Sequence, residues 1–203
     1  MDISINLIFY VCAYLIGAIP FGFILARLFA GVNIKEHGSN NIGATNVMRV
    51  VKKTNPSLAK KLSGLTVFLD GFKALGVLLA ANYCGLEANA LWAIAVLAVF
   101  GHCVSVYLWF EGGKGVATFF GALLFFQPYF TVGAVVLWIV LLKVSKISSL
   151  SSLVALGALV CTVYFFVEVE YSLKPLIVMY VIVCYKHYGN IVDLINKRES
   201  KIV

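Results

Sequence analysis

Residues 91–126 read LWAIAVLAVFGHCVSVYLWFEGGKGVATFFGALLFF. Leu91 to Phe110 and Phe119 to Phe126 are almost pure hydrocarbon, and between them stands Glu111-Gly-Gly-Lys-Gly-Val-Ala-Thr118. A lysine ringed by Gly112, Gly113 and Gly115 is not what a membrane-crossing run needs. Glycine bares its backbone N–H groups and admits close approach. A helix that starts just beyond it favours anions at its N-terminus. The stretch reads as two membrane-embedded runs joined by an anion cradle at the membrane surface.

The rest of the chain agrees with a membrane setting. Of 203 residues, 62% are hydrophobic and only 12% charged, against about 25% charged in a soluble domain. Seven apolar segments are expected, near 5–29, 63–83, 89–110, 116–127, 129–143, 149–167 and 173–189. A full crossing takes about 20 apolar residues, so 116–127 and 129–143 are short. Gln127-Pro128 marks the break between them, and they are expected to be tilted spans or a re-entrant pair. The expected fold is all-α: a polytopic membrane bundle of about seven transmembrane helices, one membrane domain over residues 1–203. The first segment lacks a basic n-region and an Ala-x-Ala-like cleavage site, so it is not read as a signal peptide. Cys12, Cys84, Cys103, Cys161 and Cys184 lie in or beside apolar runs without metal-ligand spacing, and are read as packing residues.

The net charge of +7 reports orientation rather than nucleic-acid binding, because the basic residues fall in short segments between apolar runs. Lys35, Arg49, Lys52, Lys53, Lys60 and Lys61 lie in 30–62. Lys114 lies in the glycine loop, Lys143 and Lys146 near the next connection, and Lys186, Lys197, Arg198 and Lys201 in the tail. The alternate connections 84–88, 127–128 and 168–172 hold no Lys or Arg but do hold Glu87, Glu168 and Glu170. The positive-inside rule then predicts an external N-terminus, a cytoplasmic C-terminus and a cytoplasmic position for every polar island.

There are three such islands. The first is His37-Gly-Ser-Asn-Asn-Ile-Gly-Ala-Thr-Asn-Val-Met-Arg49. Thr45 and Arg49 share a face if this stretch is helical, and Ser39, Asn40 or Asn41 is the expected cap. A guanidinium grips phosphate bidentately. The second island is Gly101-His102 with Phe110-Glu-Gly-Gly-Lys-Gly-Val-Ala-Thr118. It lacks the Gly-x4-Gly-Lys-Ser/Thr spacing of a nucleotide P-loop and follows no strand. A snorkelling anchor accounts for the lysine but not for three flanking glycines. The third island is Tyr185-Lys-His-Tyr-Gly-Asn190. Here His187 and Asn190 are three apart, and histidine suits proton transfer near neutrality. Asp70 and Lys73, also three apart, lie inside a span, where ionisable residues are costly. They read equally as an ion pair or as site residues. No histidine is followed five residues later by aspartate, which excludes a His-x4-Asp acyltransferase base.

Together these blocks resemble the bacterial PlsY family, the integral membrane acyl-phosphate-dependent glycerol-3-phosphate acyltransferases. Gly38-Ser-Asn-Asn-Ile-Gly-Ala-Thr-Asn-Val-Met-Arg49 resembles its Gly-Ser-Gly-Asn-x-Gly-Ala-Thr-Asn-Val-x-Arg block. The second island resembles its Gly-His…Phe-x-Gly-Gly-Lys-Gly-Val-Ala-Thr block, and His187-Tyr-Gly-Asn-Ile191 its His-x-x-Asn-Ile block. Gly17-Ala-Ile-Pro-Phe-Gly22 and Asp70-x-x-Lys73 also match family patterns. The departures are Asn40 for the middle glycine, Val104-Ser105 for Phe-Pro, Glu111 for a basic residue, and Asp193 for another. The resemblance implies a seven-helix bundle with a cytoplasmic-side site. It implies transfer of a fatty acyl group from acyl phosphate to the 1-hydroxyl of sn-glycerol 3-phosphate, giving lysophosphatidic acid and phosphate, in a bacterial cytoplasmic (inner) membrane. The catalytic residues would be Ser39, Arg49, Lys114, His187 and Asn190. Asn41, Thr45, Asn46, His102, Gly112, Gly113, Gly115 and Thr118 would bind substrate or its phosphate. No cofactor and no metal are expected. The expected partners are the two substrates, membrane lipid and, functionally, the enzyme that makes acyl phosphate, but no nucleic acid. A transporter or flippase for a phosphorylated solute is the competing class, since Asp70 and Lys73 would suit it. Against it, no internal repeat is visible. An assembly partner of lipid enzymes leaves the glycine–lysine loop unexplained.

Overall fold

The computed structural model describes residues 3–167 and 173–202. The connection carrying Glu168 and Glu170 lies outside them. The described residues form ten α-helices: α1 (Ile3–Ala18), α2 (Phe21–Ala30), α3 (Ala44–Val51), α4 (Pro56–Tyr83), α5 (Ala88–Cys103), α6 (Val116–Phe126), α7 (Pro128–Ser145), α8 (Ser148–Phe166), α9 (Leu173–Lys186) and α10 (Tyr188–Ile195). A short 3-10 turn spans Val106–Leu108. The protein is an all-helical, multi-pass membrane protein. Four helices or helical stretches (Pro56–Tyr83, Ala88–Leu108, Pro128–Ser145 and Ser148–Phe166) are long and apolar enough to cross a bilayer. Counting each bent pair as one span raises the number to six.

Three expected segments differ in shape. The segment 5–29 is not one rod: it breaks at Ile19-Pro20 into α1 and α2, bent by 40°. Pro20 lacks an N–H and disfavours helix in the residue before it. The segment 89–110 stops being α-helical at Cys103, and residues 104–110 turn back through the 3-10 turn. The segment 173–189 breaks at His187, with α9 and α10 at 63°. Gln127 does divide α6 from α7 as the proline predicts. The 11 residues of α6 span about 16 Å, roughly half of a 30 Å hydrocarbon core.

Lipid offers no hydrophobic drive for helix association, so close backbone approach through small residues matters. α1 runs along α5. A Cβ on Gly17 would collide with the Ala98 backbone, and one on Gly101 with the Tyr14 carbonyl. α4 and α6 touch the same way at Gly71 and Gly121. The Tyr14 hydroxyl donates to the Val104 carbonyl at 3.0 Å and the Ser105 hydroxyl to Ala18 at 2.6 Å, pinning the end of α5 to the end of α1. Around α5 lies the main core, from Leu78 and Ile94 to Phe119, Leu156 and Met179. A second core of Leu25, Ile34, Ile42, Val47 and Val51 sits under the first polar island. Outward faces carry Leu7, Ile8, Phe68, Phe72, Val132, Val136 and Val181, all exposed, as a lipid-facing surface requires.

Mid-way along α4, Asp70 and Lys73 are both buried. A charge at mid-membrane costs about 2.5–3.5 kcal/mol on insertion scales. Lys73 Nζ meets that cost by donating to Asp70 Oδ1 at 3.1 Å and to the Ile19 carbonyl, at the Pro20 break, at 2.9 Å.

Candidate functional site

The glycine loop is pressed against the end of α5. The Gly113 N–H donates to the His102 carbonyl at 2.9 Å. A Cβ on Gly112 would collide with the His102 carbonyl, and one on Gly113 with the His102 ring at Nε2. One on Gly115 would meet Cys103 Sγ at 2.8 Å. Gly115 also has φ +81°, a left-handed value that disfavours any side chain. So the glycines have a packing reason as well as a ligand-approach reason, which the sequence reading did not anticipate. The loop runs directly into α6, whose first turn leaves its N–H groups pointing back at the loop. Thr118, in that turn, is fully buried and its hydroxyl has no hydrogen-bond partner.

Lys114 leaves the loop and donates to Asn190 Oδ1 on α10. Asn190 Nδ2 donates to Glu199 Oε1 at 2.8 Å, and the same oxygen accepts from the buried Ser149 hydroxyl at 2.8 Å. On α3, the Thr45 and Ser148 hydroxyls are 3.0 Å apart, and Arg49 donates to the Ser200 hydroxyl at 3.1 Å. The three islands, the start of α8 and the C-terminal tail thus meet in one polar cluster. The tail is held there by Ile202 N–H donating to the Lys146 carbonyl at 2.7 Å. Burial holds the Lys114 ammonium below the usual lysine range; Glu199 opposes that shift and the Arg49 charge adds to it.

The expected residues take different stations. His187 is buried at the break between α9 and α10. Its Nδ1 is 2.8 Å from the Val183 carbonyl. A carbonyl can only accept, so Nδ1 carries the proton and Nε2 keeps its lone pair. Asn46 is buried and its polar atoms face backbone. It donates to the Ile34, His37 and Asn41 carbonyls at 2.8, 3.0 and 2.8 Å and accepts from Ser39 N–H at 2.9 Å. It shapes the first island from within. Asn41 Oδ1 accepts from Gly43 N–H at 2.9 Å in a local turn. The cap of α3 is Gly43, with no side-chain cap bond, in place of Ser39, Asn40 or Asn41. Ser39 is exposed on the island, its backbone tied to Asn46. His102 lies behind the glycine loop, with Nδ1 2.8 Å from Lys73 Nζ.

Glu111, the acidic departure beside the cradle, is exposed and pairs with Lys35 at 2.7 Å. The Lys35 hydrogen bond and charge hold its carboxyl below the usual carboxylate range. Its charge is thereby neutralised on the outer side of the loop and ties the second island to the first. Ser148, Ser149, Glu199 and Ser200 were not anticipated. The only advance signal was Ser-Ser-Leu-Ser-Ser at 148–152, an unusual polar density for the start of a span.

Residues 7–197 match the family model described as Glycerol-3-phosphate acyltransferase. A glycerol-3-phosphate acyltransferase of Aliarcobacter butzleri is 54% identical over 201 residues, covering 98% of this chain and 97% of the relative. One from Campylobacter lari is 52% identical over 201 residues, covering 98% and 99%. The crystal structure of PlsY (YgiH), an integral membrane glycerol 3-phosphate acyltransferase, in its glycerol 3-phosphate form superposes with a TM-score of 0.87 at 31% identity, covering 98% of this chain and 96% of that one. Its lysophosphatidic acid form gives 0.85 at 31% identity, covering 97% and 94%. With nearly its whole length matched in sequence and in fold, this chain belongs to the glycerol-3-phosphate acyltransferase family.

Proposed function

We propose that this chain transfers a fatty acyl group from acyl phosphate to the 1-hydroxyl of sn-glycerol 3-phosphate, releasing lysophosphatidic acid and inorganic phosphate. It works in the bacterial cytoplasmic membrane as a bundle of about seven membrane helices, the short α6 among them, with the N-terminus outside and the site facing the cytoplasm. Family membership and the glycerol 3-phosphate and lysophosphatidic acid forms of the similar PlsY structure support the acceptor and the product. The observation that carries the reading is the meeting of Lys114, Asn190, Thr45 and Arg49 in one polar cluster with the start of α8 and the C-terminal tail.

Two phosphorylated substrates repel, so cations must neutralise them before the hydroxyl attacks. Lys114 and the Gly112–Gly115 loop hold one phosphate, with Thr118 in the first turn of α6; the Gly113 N–H stays on the His102 carbonyl. Arg49 holds phosphate as well, with Ser39, Asn41 and Thr45 supplying hydrogen bonds. His187 and Asn190 bind and orient the glycerol phosphate. The acyl chain stays in the bilayer while the water-soluble acceptor arrives from the cytoplasm. In the transfer, the 1-hydroxyl oxygen bonds to the acyl carbon and the acyl–phosphate bond breaks. Phosphate leaves with the bond's electron pair, and the hydroxyl proton passes to His187 Nε2 or to substrate phosphate. Phosphate is a good leaving group, so positioning and charge stabilisation supply most of the rate.

Purified protein in detergent, given acyl phosphate and glycerol 3-phosphate, is expected to release free phosphate with formation of lysophosphatidic acid. Detergent abolishes vectorial transport but not chemistry, so no turnover there, with solute movement in sealed vesicles, would make it a transporter instead. In the same assay, exchanging acyl phosphate for acyl-CoA decides which donor the protein uses. Gly113→Ala drives a methyl into the His102 ring and is expected to lower kcat/KM at least about tenfold by displacing the loop. Gly133→Ala, in open space on α7, serves as the control.

A further inference from the structure

We propose that Asp70 and Lys73 are positioning residues for the glycine–lysine loop, acting through the tautomer of His102. The inference rests on the reading of that loop as a phosphate cradle. The three groups form a chain from α4 to α5 and reach the end of α1 through a backbone carbonyl. Lys73 Nζ, on α4, donates to Asp70 Oδ1 at 3.1 Å and to the Ile19 carbonyl at the end of α1 at 2.9 Å. Its third contact is His102 Nδ1 on α5, at 2.8 Å. Asp70 Oδ1 is itself 3.7 Å from that ring nitrogen. All three residues are buried.

An ammonium has three N–H donors and no acceptor. With two of them on a carboxylate and a carbonyl, the third points at Nδ1, which must therefore accept. A neutral imidazole that accepts at Nδ1 carries its proton on Nε2. Nε2 is the end of the ring that stands where a Gly113 side chain would be. The His102 carbonyl meanwhile holds the Gly113 N–H at 2.9 Å. One residue thus grips the loop by its backbone and offers a fixed N–H donor against its base. The buried pair sets which nitrogen that is. A simple tie between α1 and α4 needs only Asp70, Lys73 and Ile19 and gives no reason for the third bond to go to His102 Nδ1 on α5.

The test is nitrogen NMR on 15N-histidine-labelled protein in micelles, where only His37, His102 and His187 give signals. His102→Asn assigns the resonance. His102 is expected as a neutral ring protonated at Nε2, and Lys73→Met is expected to admit the other tautomer. A proton on Nδ1 in the wild type overturns the inference. Asp70→Asn/Lys73→Met removes both charges together, so neither partner is stranded. Its KM for the substrate whose phosphate occupies the cradle is expected to rise by about tenfold to a hundredfold. KM for the other substrate should stay close to wild type, with an unchanged thermal midpoint in micelles. Unchanged KM for both substrates in the folded double variant also overturns the inference. The tautomer measurement needs neither a variant nor a substrate. Wild type that turns over normally while His102 carries its proton on Nδ1 therefore sinks this inference and leaves the acyl-transfer reading standing.

Discussion

Lys114→Ala is expected to lower kcat/KM for acyl transfer by about 10²–10³, the cost of removing one preorganised charge from a developing transition state. The fold should survive. Lys114 is half-buried on a loop whose shape comes from the glycines and the His102 carbonyl, and its ammonium bonds to Asn190 rather than to the core. The pH dependence separates its catalytic role from a structural one. Burial holds the Lys114 pKa below its usual value, so the ammonium is lost earlier on the alkaline side than in an ordinary lysine. Activity that needs the charge falls as pH rises through that lowered pKa. Stability moves the other way: the native state binds fewer protons than the unfolded state across the same window, so this group's contribution to stability increases with pH. A kcat/KM profile that declines in alkali while the thermal midpoint holds is the expected signature. Lys114→Arg, charged at any accessible pH, should move the declining limb upward while keeping part of the activity. An alkaline limb that remains in place in Lys114→Arg would mean another group titrates, and near-normal turnover in Lys114→Ala would remove the cradle from the mechanism.

How much of this was readable in the chain follows from the range of the interactions. The apolar runs, the Gln127-Pro128 break and the polar islands are local patterns of hydropathy and backbone chemistry, and they survive into the structure. The resemblance carried the family. The breaks at Pro20 and His187 were less visible, because apolar composition continues straight through both while the helix axis turns. The role of Asn46 was hidden because its partners lie five to twelve residues away, in a loop whose path no periodicity predicts. The glycines looked like ligand-approach residues, and packing against His102 and Cys103 could be seen only with α5 in place. Hardest of all were Ser148, Ser149 and Glu199. Their contacts to Thr45 and Asn190 span up to 103 residues of chain, and a tail glutamate has no local feature that marks it as part of a site. Glu111 is the converse case. It was conspicuous as an acid beside an anion site, and Lys35, 76 residues away, resolves it.

His187→Ala is expected to reduce kcat about a hundredfold, within the range of general acid–base contributions, with KM for glycerol 3-phosphate changed less. The argument runs from the backbone outward. The chain turns by 63° between α9 and α10 at His187, and the His187 Nδ1–H donates to the Val183 carbonyl at 2.8 Å. The lone pair on Nε2 is therefore fixed by local geometry before any substrate arrives, as a base requires. Two replacements divide proton acceptance from hydrogen bonding. Gln can set its amide oxygen near the former Nε2 and accept a hydrogen bond from the 1-hydroxyl, but it cannot take the proton. Asn can keep the bond to Val183 but offers little at Nε2. If Nε2 is the base, His187→Gln keeps a near-normal KM and stays as slow as His187→Ala, and His187→Asn is no faster. If His187→Gln instead recovers most of kcat, Nε2 only orients the hydroxyl. The proton would then leave to a substrate phosphate oxygen, one of the anions that we assign to Lys114 and Arg49. Rapid-quench measurement of lysophosphatidic acid formed in the first turnover at saturating acyl phosphate makes the distinction, because it reads the transfer step rather than product departure.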